Sequence, residues 1–565
     1  MPTPVDPTLR GQLRQAVERA WAAAIASGAL PALAASDEAP EVKVERPANP
    51  EHGDAATNLA MKLARPYRRA PLDIARVLAD ELAREAAASP GSTPAGTVEV
   101  AAPGFINVRY ADRALAGAID GILAAPGAWG RVPAANPRSV NVEFVSANPT
   151  GPLTLGNARG AFVGDLLCRV LEAGGQRVTR EYYFNDSGSQ VGKLGASVIA
   201  TRRGEPVPDD GYHGEYVAEL SATIPTDIWS AAEQAAADAD AIVGRWASER
   251  VRAGIEASLE HLGVHFDIWK TERSLYDEGW VGRAIERLRA GGHVYEQDGA
   301  LWFRSTAFGD DKDRVIIRSN GEPTYFASDL GYVTEKFSRG FDELIYIWGQ
   351  DHHGTVARVR NAAEAMGFDK AAVRMLLVAW VRFVRDGAEI SMSKRAGTFI
   401  TLDELLAEIG VDAARWFFAS RGPSSGIDFD IELAKKQSNE NPVYYVQYAH
   451  ARIASILRKA VEAGLVPGTN VSPDAVAGGP EAALVREVIR LPEVVEDATA
   501  AEEAQGVTAY ATELASTFHA FYRDAKVVDP ADPARSAARL AIVAATRTTL
   551  ANALGLLGIS APEQM

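Results

Sequence analysis

Apolar residues along this chain change their spacing several times, and each change marks a structural unit. An alanine-rich amphipathic stretch at the N-terminus gives way to the short strand-like runs VKVERP, VEVAAPG and FINVRY. Around LDIARVLADELARE the spacing returns to threes and fours, the period of a helix. Residues 1–112 are therefore expected to form a small α+β domain, and the proline-bearing stretch Asn136–Arg138 reads as a linker. SVNVEFVSA follows, a β-branched run suited to a strand buried on both faces. It passes through the turn-forming NPTGP into NARGAFVGDLLCRVLEAGG, helical in period and stopped by paired glycines, and VTREYYF returns to strand.

Strand, turn, helix and strand in succession predict a βαβ unit opening a doubly wound parallel, Rossmann-like sheet. From about Leu194 to Glu296 the pattern is mainly helical and charged, as expected of a helical insertion at about 194–296. RVIIRS, TYFAS, LIYIWG and LLVAW then predict the second half of the sheet, so the α/β unit spans 113–425. Beyond about Asp428 nearly everything reads as amphipathic helix, and 426–565 is expected to be an all-α helical bundle. The predicted fold class is multidomain α/β.

Length agrees, since 565 residues exceed what one core supports. A net charge of −16 argues against a protein that coats nucleic acid through bulk electrostatics, but it leaves room for a local basic face. Arg65, Arg68 and Arg69, then Lys394 and Arg395, then Arg452, Arg458 and Lys459 are such clusters, equally readable as solvated helix faces. Cys168 is the only cysteine, so neither an intramolecular disulfide nor a thiolate zinc site can form. The adjacent His352 and His353 lack further ligand spacing, and no protein-bound metal is expected. The opening MPTPVDPTLR carries no signal pattern and no segment approaches a membrane span, so a cytoplasmic protein without membrane contact is expected.

Two strings carry candidate chemistry. The first runs from Glu143 through Ser146, Asn148, Gly151 and Thr154 to Gly156 and Asn157, where a strand ends and a helix begins. Free backbone donors at a helix start favour phosphate, glycine permits close approach, and Thr154 and Asn157 can add neutral hydrogen bonds. Without more, the same string could be a tight structural turn. The second is Ser391-Met392-Ser393-Lys394-Arg395-Ala396-Gly397-Thr398, in which Lys394 could meet the charge of a leaving pyrophosphate.

Their order and spacing resemble the two nucleotide motifs of class I aminoacyl-tRNA synthetases. The first resembles the histidine-x-glycine-histidine motif, with Thr154 and Asn157 in place of both histidines. The second resembles the lysine-methionine-serine-lysine loop, with Ser391 in place of its leading lysine. HGDAATNLA, PGFINV, VTREYYFNDSG, GEPTYFASDLGY, WGQDHHGTV, MSKRAGTF and VYYVQYAHAR occur in this order along nearly the whole chain and resemble the arginine-specific family.

The resemblance implies an ATP-dependent ligase that forms arginyl-adenylate and passes arginine to tRNA(Arg), using ATP with Mg2+, with activation awaiting bound tRNA. It implies catalytic roles for Lys394, Thr154 and Asn157, and ATP contacts from Thr154, Gly156, Asn157, Met392, Ser393 and Lys394. L-arginine would be met by Glu143 and Asp329 in a pocket shaped by Ser146, Asn148, Tyr325 and Gln350. A guanidinium needs such planar acceptors, and Tyr325 and Asp329, four apart, share a face if helical. Phe105 and Asn107 would touch the tRNA elbow, Tyr445 and Ala449 the anticodon loop, with Arg452 beside them. Rings at 444, 445 and 448 suit stacked bases, and they suit a helix core as well. A monomer is expected.

Overall fold

In the computed structural model, which describes residues 8–34, 36–186, 188–390 and 401–565, five strands form the central parallel sheet. Their spatial order is Val373–Val378, Glu343–Gly349, Ser139–Glu143, Arg177–Phe184 and Ile268–Thr271. Connections run outward in opposite directions from Ser139–Glu143, so the gap between it and Glu343–Gly349 is the switch point at which open α/β sheets receive ligands. Val140, Val142, Leu344 and Ile345 are buried, as their apolar run demands. The helix Leu155–Ala173 packs on this sheet closely enough that a Cβ on Gly164 would lie 2.2 Å from the Phe144 ring.

Two expectations are corrected. Helices do fill most of 194–296, as Ser189–Arg203, Glu215–Thr223, Thr226–Gln234, Ala239–His261, Glu272–Asp277 and Trp280–Ala290, but a strand interrupts them. Ile268–Thr271 rejoins the parallel sheet as an edge strand, its Trp269 ring stacked on Tyr182 at 4.3 Å. RVIIRS does hold a strand, but Arg314–Ile317 belongs to a separate antiparallel sheet with Val294–Gln297 and Ala300–Phe303. TYFAS opens the helix Tyr325–Ser338. Short apolar runs suit a strand or a buried helix equally, and packing decides between them.

The N-terminal domain is a four-stranded antiparallel sheet, ordered Val44–Glu45, Ala55–Thr57, Phe105–Tyr110 and Ala95–Ala101, covered by helices that include Leu9–Ala26 and Pro71–Ala88. The C-terminal region is a bundle built on Pro442–Glu462, Gly479–Val488, Leu491–Ala501, Gln505–Asp524 and Pro533–Leu556. Charge pins these two units together. Arg10 binds Glu496 at 2.5 Å and Asp497 at 2.8 Å, and Asp54 binds Arg486 at 2.9 Å.

Glu493 lies in this seam, with the Tyr110 hydroxyl 3.5 Å from its carboxylate and Arg490 nearby. Burial, opposed by Arg10 and reinforced by Glu496 and Asp497, pushes its carboxyl up to about 7. The folded chain therefore keeps a proton that the unfolded chain, at an ordinary 4.5, releases. The resulting stability is fully present below pH about 4.5 and is lost as pH rises to about 7. We expect this group to weaken the seam by about 2 kcal/mol across that window. Glu493→Gln should remove that component, as read from melting midpoints between pH 5 and 8; parallel profiles for the two proteins would sink the idea.

Candidate active site

The strand Ser139–Glu143 delivers its last side chain to the switch point, and the backbone then turns sharply. Ser146 N–H bonds the Phe144 carbonyl at 2.9 Å, with Val145 at φ 66° and Ser146 at φ 42°. A β-branched residue rarely adopts that left-handed region, and such a turn costs of order 1–3 kcal/mol per residue. Its effect is to aim the Ser146 hydroxyl back at Glu143 Oε1, 3.1 Å away. The loop beyond is tied to neighbouring segments: the Tyr182 hydroxyl donates to the Ala147 carbonyl at 2.9 Å, and Asn148 Nδ2 donates to Gln190 Oε1 at 2.8 Å.

Thr154 caps the Leu155 helix, and Asn157 reaches back to it. Asn157 Oδ1 accepts both the Thr154 backbone N–H, at 3.1 Å, and the Thr154 hydroxyl, at 3.0 Å. This pair thus builds the helix start as a reciprocal cap, leaving the Asn157 amide N–H groups as donors while Gly156 is exposed beside them. Thr154 also bridges Thr401, and Leu402 N–H bonds the Leu153 carbonyl at 3.1 Å. Met392, Ser393 and Lys394 lie outside the described residues, but both flanks of their segment reach this place. Ile390 and Glu389 line a cleft of about 660 Å³ together with Thr154, Gly156, Gln350, Trp380 and Arg382. That volume is typical of a small-molecule site.

The Tyr325 helix carries Asp329, which is half-buried and makes no hydrogen bond or ion pair among the described residues. Burial, then the charges of Glu143 and Glu272, raise its carboxyl to about 7, with Arg358 opposing. Glu272 escaped the sequence reading, although it directly follows the Ile268–Thr271 strand and opens the helix Glu272–Asp277. It is buried and accepts the Ser328 hydroxyl at 2.6 Å, and burial pushes its proton affinity up too. Tyr325 is 71% exposed at the helix start, and Gln350 is exposed at the end of Glu343–Gly349.

Lys336 was also missed. It is fully buried, its ammonium 2.7 Å from Glu143 Oε2 and 4.2 and 4.0 Å from the ring centres of Tyr332 and Tyr346. Glu181 lies behind, bonded by Tyr332 at 2.6 Å, Asn141 at 2.7 Å and Arg339 at 2.7 Å. Burial works against the Glu181 charge, but Lys336 and Arg339 hold the carboxyl below its ordinary range. The available signal was the spacing: Lys336 follows Asp329 by two helical turns and so shares its face.

In the bundle, Tyr444, Tyr445, Tyr448, Arg452 and His519 line an open hollow of about 570 Å³. The rings are half-exposed, and Tyr445 also packs against the bundle core. Arg452 donates to the Tyr448 hydroxyl at 2.9 Å with its guanidinium over that ring. Ala449 is fully buried among the bundle's core residues. Phe105 is 38% exposed on the N-terminal sheet, while Asn107, on the central part of the same strand, is nearly buried.

Comparison with known proteins agrees along the chain. The family described as tRNA synthetases class I (R), catalytic domain, matches residues 119–206 and 238–421. The arginyl tRNA synthetase N terminal domain matches 8–110, and the DALR anticodon binding domain matches 446–565. An arginine-tRNA ligase of Citrifermentans bemidjiense is 43% identical over 566 residues, covering 99% of this chain and 100% of its own. One of Bacillus subtilis is 42% identical over 549 residues, covering 94% and 96%. The solved Thermus thermophilus arginyl-tRNA synthetase shares the fold, with a TM-score of 0.72 at 24% identity, covering 98% of this chain and 100% of that one.

The buried pair can be tested directly. Lys336→Met keeps volume but strands the Glu143 charge, and we expect a loss of about 3–5 kcal/mol. Adding Glu143→Gln should restore most of it. A melting midpoint for the single variant equal to that of the parent would exclude the pair as a structural anchor.

Proposed function

The chain belongs to the arginyl-tRNA synthetase family, charging tRNA(Arg) with L-arginine in an ATP-dependent reaction, and from that premise we propose how its residues divide the reaction. Asp329 is the direct partner of the substrate guanidinium, with Glu272 as a second carboxylate. Glu143, held by Lys336, adds negative potential, and Ser146, Asn148, Tyr325 and Gln350 frame the pocket. The observation that carries this reading is Asp329 itself, a carboxylate under the charge of Glu143 and Glu272 with no hydrogen bond or ion pair among the described residues, which a bound cation would complete.

ATP occupies the neighbouring cleft, its phosphates at the start of the Leu155 helix near Thr154, Gly156 and Asn157. The nucleotide would bring Mg2+ with it, which would screen the phosphate charge. An arginine carboxylate oxygen attacks the α-phosphorus, the bond to the β-phosphate breaks, and pyrophosphate leaves. Met392, Ser393 and Lys394 act on that departing charge, by family position. The terminal ribose hydroxyl of tRNA then attacks the arginyl carbonyl, and AMP leaves. Binding of tRNA precedes activation.

Residues 1–112, through Phe105 and Asn107, serve the tRNA elbow, 113–425 the chemistry, and 426–565 the anticodon, through Tyr445 and Arg452. Stacking rings beside a guanidinium suit unpaired bases. No helix among the described residues is long and apolar enough to cross a membrane. We place the protein in the cytoplasm as a monomer.

With Asp329 at about 7, the charged form that binds a guanidinium fades as pH falls through that value. The KM for arginine should rise by about tenfold per pH unit below it. Asp329→Asn should raise that KM by about 100-fold and flatten the dependence, since it removes a charge-assisted partner. A pH-dependent KM that persists in the variant would assign the titration elsewhere.

Charging of total tRNA with each of the twenty amino acids should yield arginine alone, and Lys394→Ala should lower kcat by about 100-fold or more. Charging of another amino acid, or full turnover without Lys394, would overturn the assignment.

A further inference from the structure

Trp380 is 57% exposed, and its exposure is into the nucleotide cleft, where it lies with Thr154, Gly156, Ala379, Val381 and Arg382. Its backbone is firmly set: the Trp380 carbonyl accepts Arg159 Nη1 at 2.9 Å and Ile427 N–H at 3.1 Å. Arg159 is itself buried and clamps the carbonyls of Gly422, Pro423 and Ser425 as well. The indole rests against Gly426, where a Cβ would come within 2.5 Å of the ring. Arg382 is held by Asp428 through two bonds, at 2.7 and 2.8 Å, and its guanidinium stays 6.0 Å from the ring centre. One side of the indole is thus seated, Arg382 stands over the ring at a distance, and the ring lines the cleft.

An exposed tryptophan lining a cleft offers a flat apolar face on which a planar ring can stack. The start of the Leu155 helix supplies the donors on one wall, which suit phosphate. Val378, Ala379, Trp380 and Val381 form a stretch of the lining without charged side chains, and that is where a base fits. We propose that Trp380 is the platform on which the adenine of ATP stacks. This rests on the reading of the cleft as the nucleotide site. It also gives the nucleotide an anchor that does not depend on the charge an imidazole would carry, where Thr154 and Asn157 form a neutral cap.

The test measures KM and kcat for ATP, arginine and tRNA in the full-length chain. Trp380→Ala should raise the ATP KM about tenfold, within the range of base–aromatic stacking, while kcat at saturating ATP and the KM for arginine move by less than about threefold. Trp380→Phe should recover most of the loss. ATP should quench tryptophan emission of the parent chain, and that quench should vanish in Trp380→Phe. Gly156→Val, which narrows the cleft at an exposed helix position with nothing but the Thr154 hydroxyl nearby, serves as the comparison. If it raises the ATP KM while Trp380→Ala does not, the platform falls and the nucleotide cleft stands. If neither variant changes it, the cleft reading falls with the platform. A rise confined to the tRNA KM would mean that the indole serves the tRNA's terminal adenosine, and the proposal would be wrong.

Discussion

A lysine buried without exposure at the carboxyl ends of a parallel sheet is the constraint around which the catalytic domain is arranged. An isolated ammonium there would be prohibitive, so Lys336 must keep Glu143 at 2.7 Å and the faces of Tyr332 and Tyr346 against its charge. Those contacts fix the Tyr325 helix against the strands that carry Glu143 and Glu181. The same helix carries Asp329, so the position of the free carboxylate is inherited from the pairing of a bound one. Moving Lys336 would move the pocket.

A second buried charge plays the corresponding part for the nucleotide side. Arg415 binds Asp165 of the Leu155 helix at 2.7 Å and also donates to the carbonyls of Leu262, Gly263 and Leu557. One guanidinium therefore joins the nucleotide helix, the end of the helix Ala239–His261 and the last helix of the bundle. Burial lowers its proton affinity, and Asp165 works against that loss. Gly558, at φ 67°, has no alternative residue here, since a Cβ would strike the guanidinium at 2.4 Å. The bundle and the Leu155 helix thus share a rigid joint.

Much of this architecture was legible locally. SVNVEFVSA had to be a buried strand, NPTGP had to turn, and the paired glycines after LLCRVLEA had to stop the helix, because those outcomes depend on side-chain shape and backbone freedom within a few residues. The first motif was visible for the same reason, and so was the helical spacing of Tyr325 and Asp329. TYFAS and Ile268–Thr271 were misplaced because a short apolar run has no period long enough to choose between helix and strand.

Taken alone, the sequence determined the units, their order, the motifs and the family that those motifs resemble. Only the tertiary structure decided that Thr154 and Asn157 cap one another, that Ala449 is buried beneath a half-exposed aromatic face, and that Trp380 faces a cleft. It alone brought Glu272 near Asp329 and set Lys336 against Glu143, residues 193 positions apart. The physical reason is range. Propensity and capping act over a few residues of chain, whereas charge, burial and proton affinity depend on distance in space, which no spacing along the chain records.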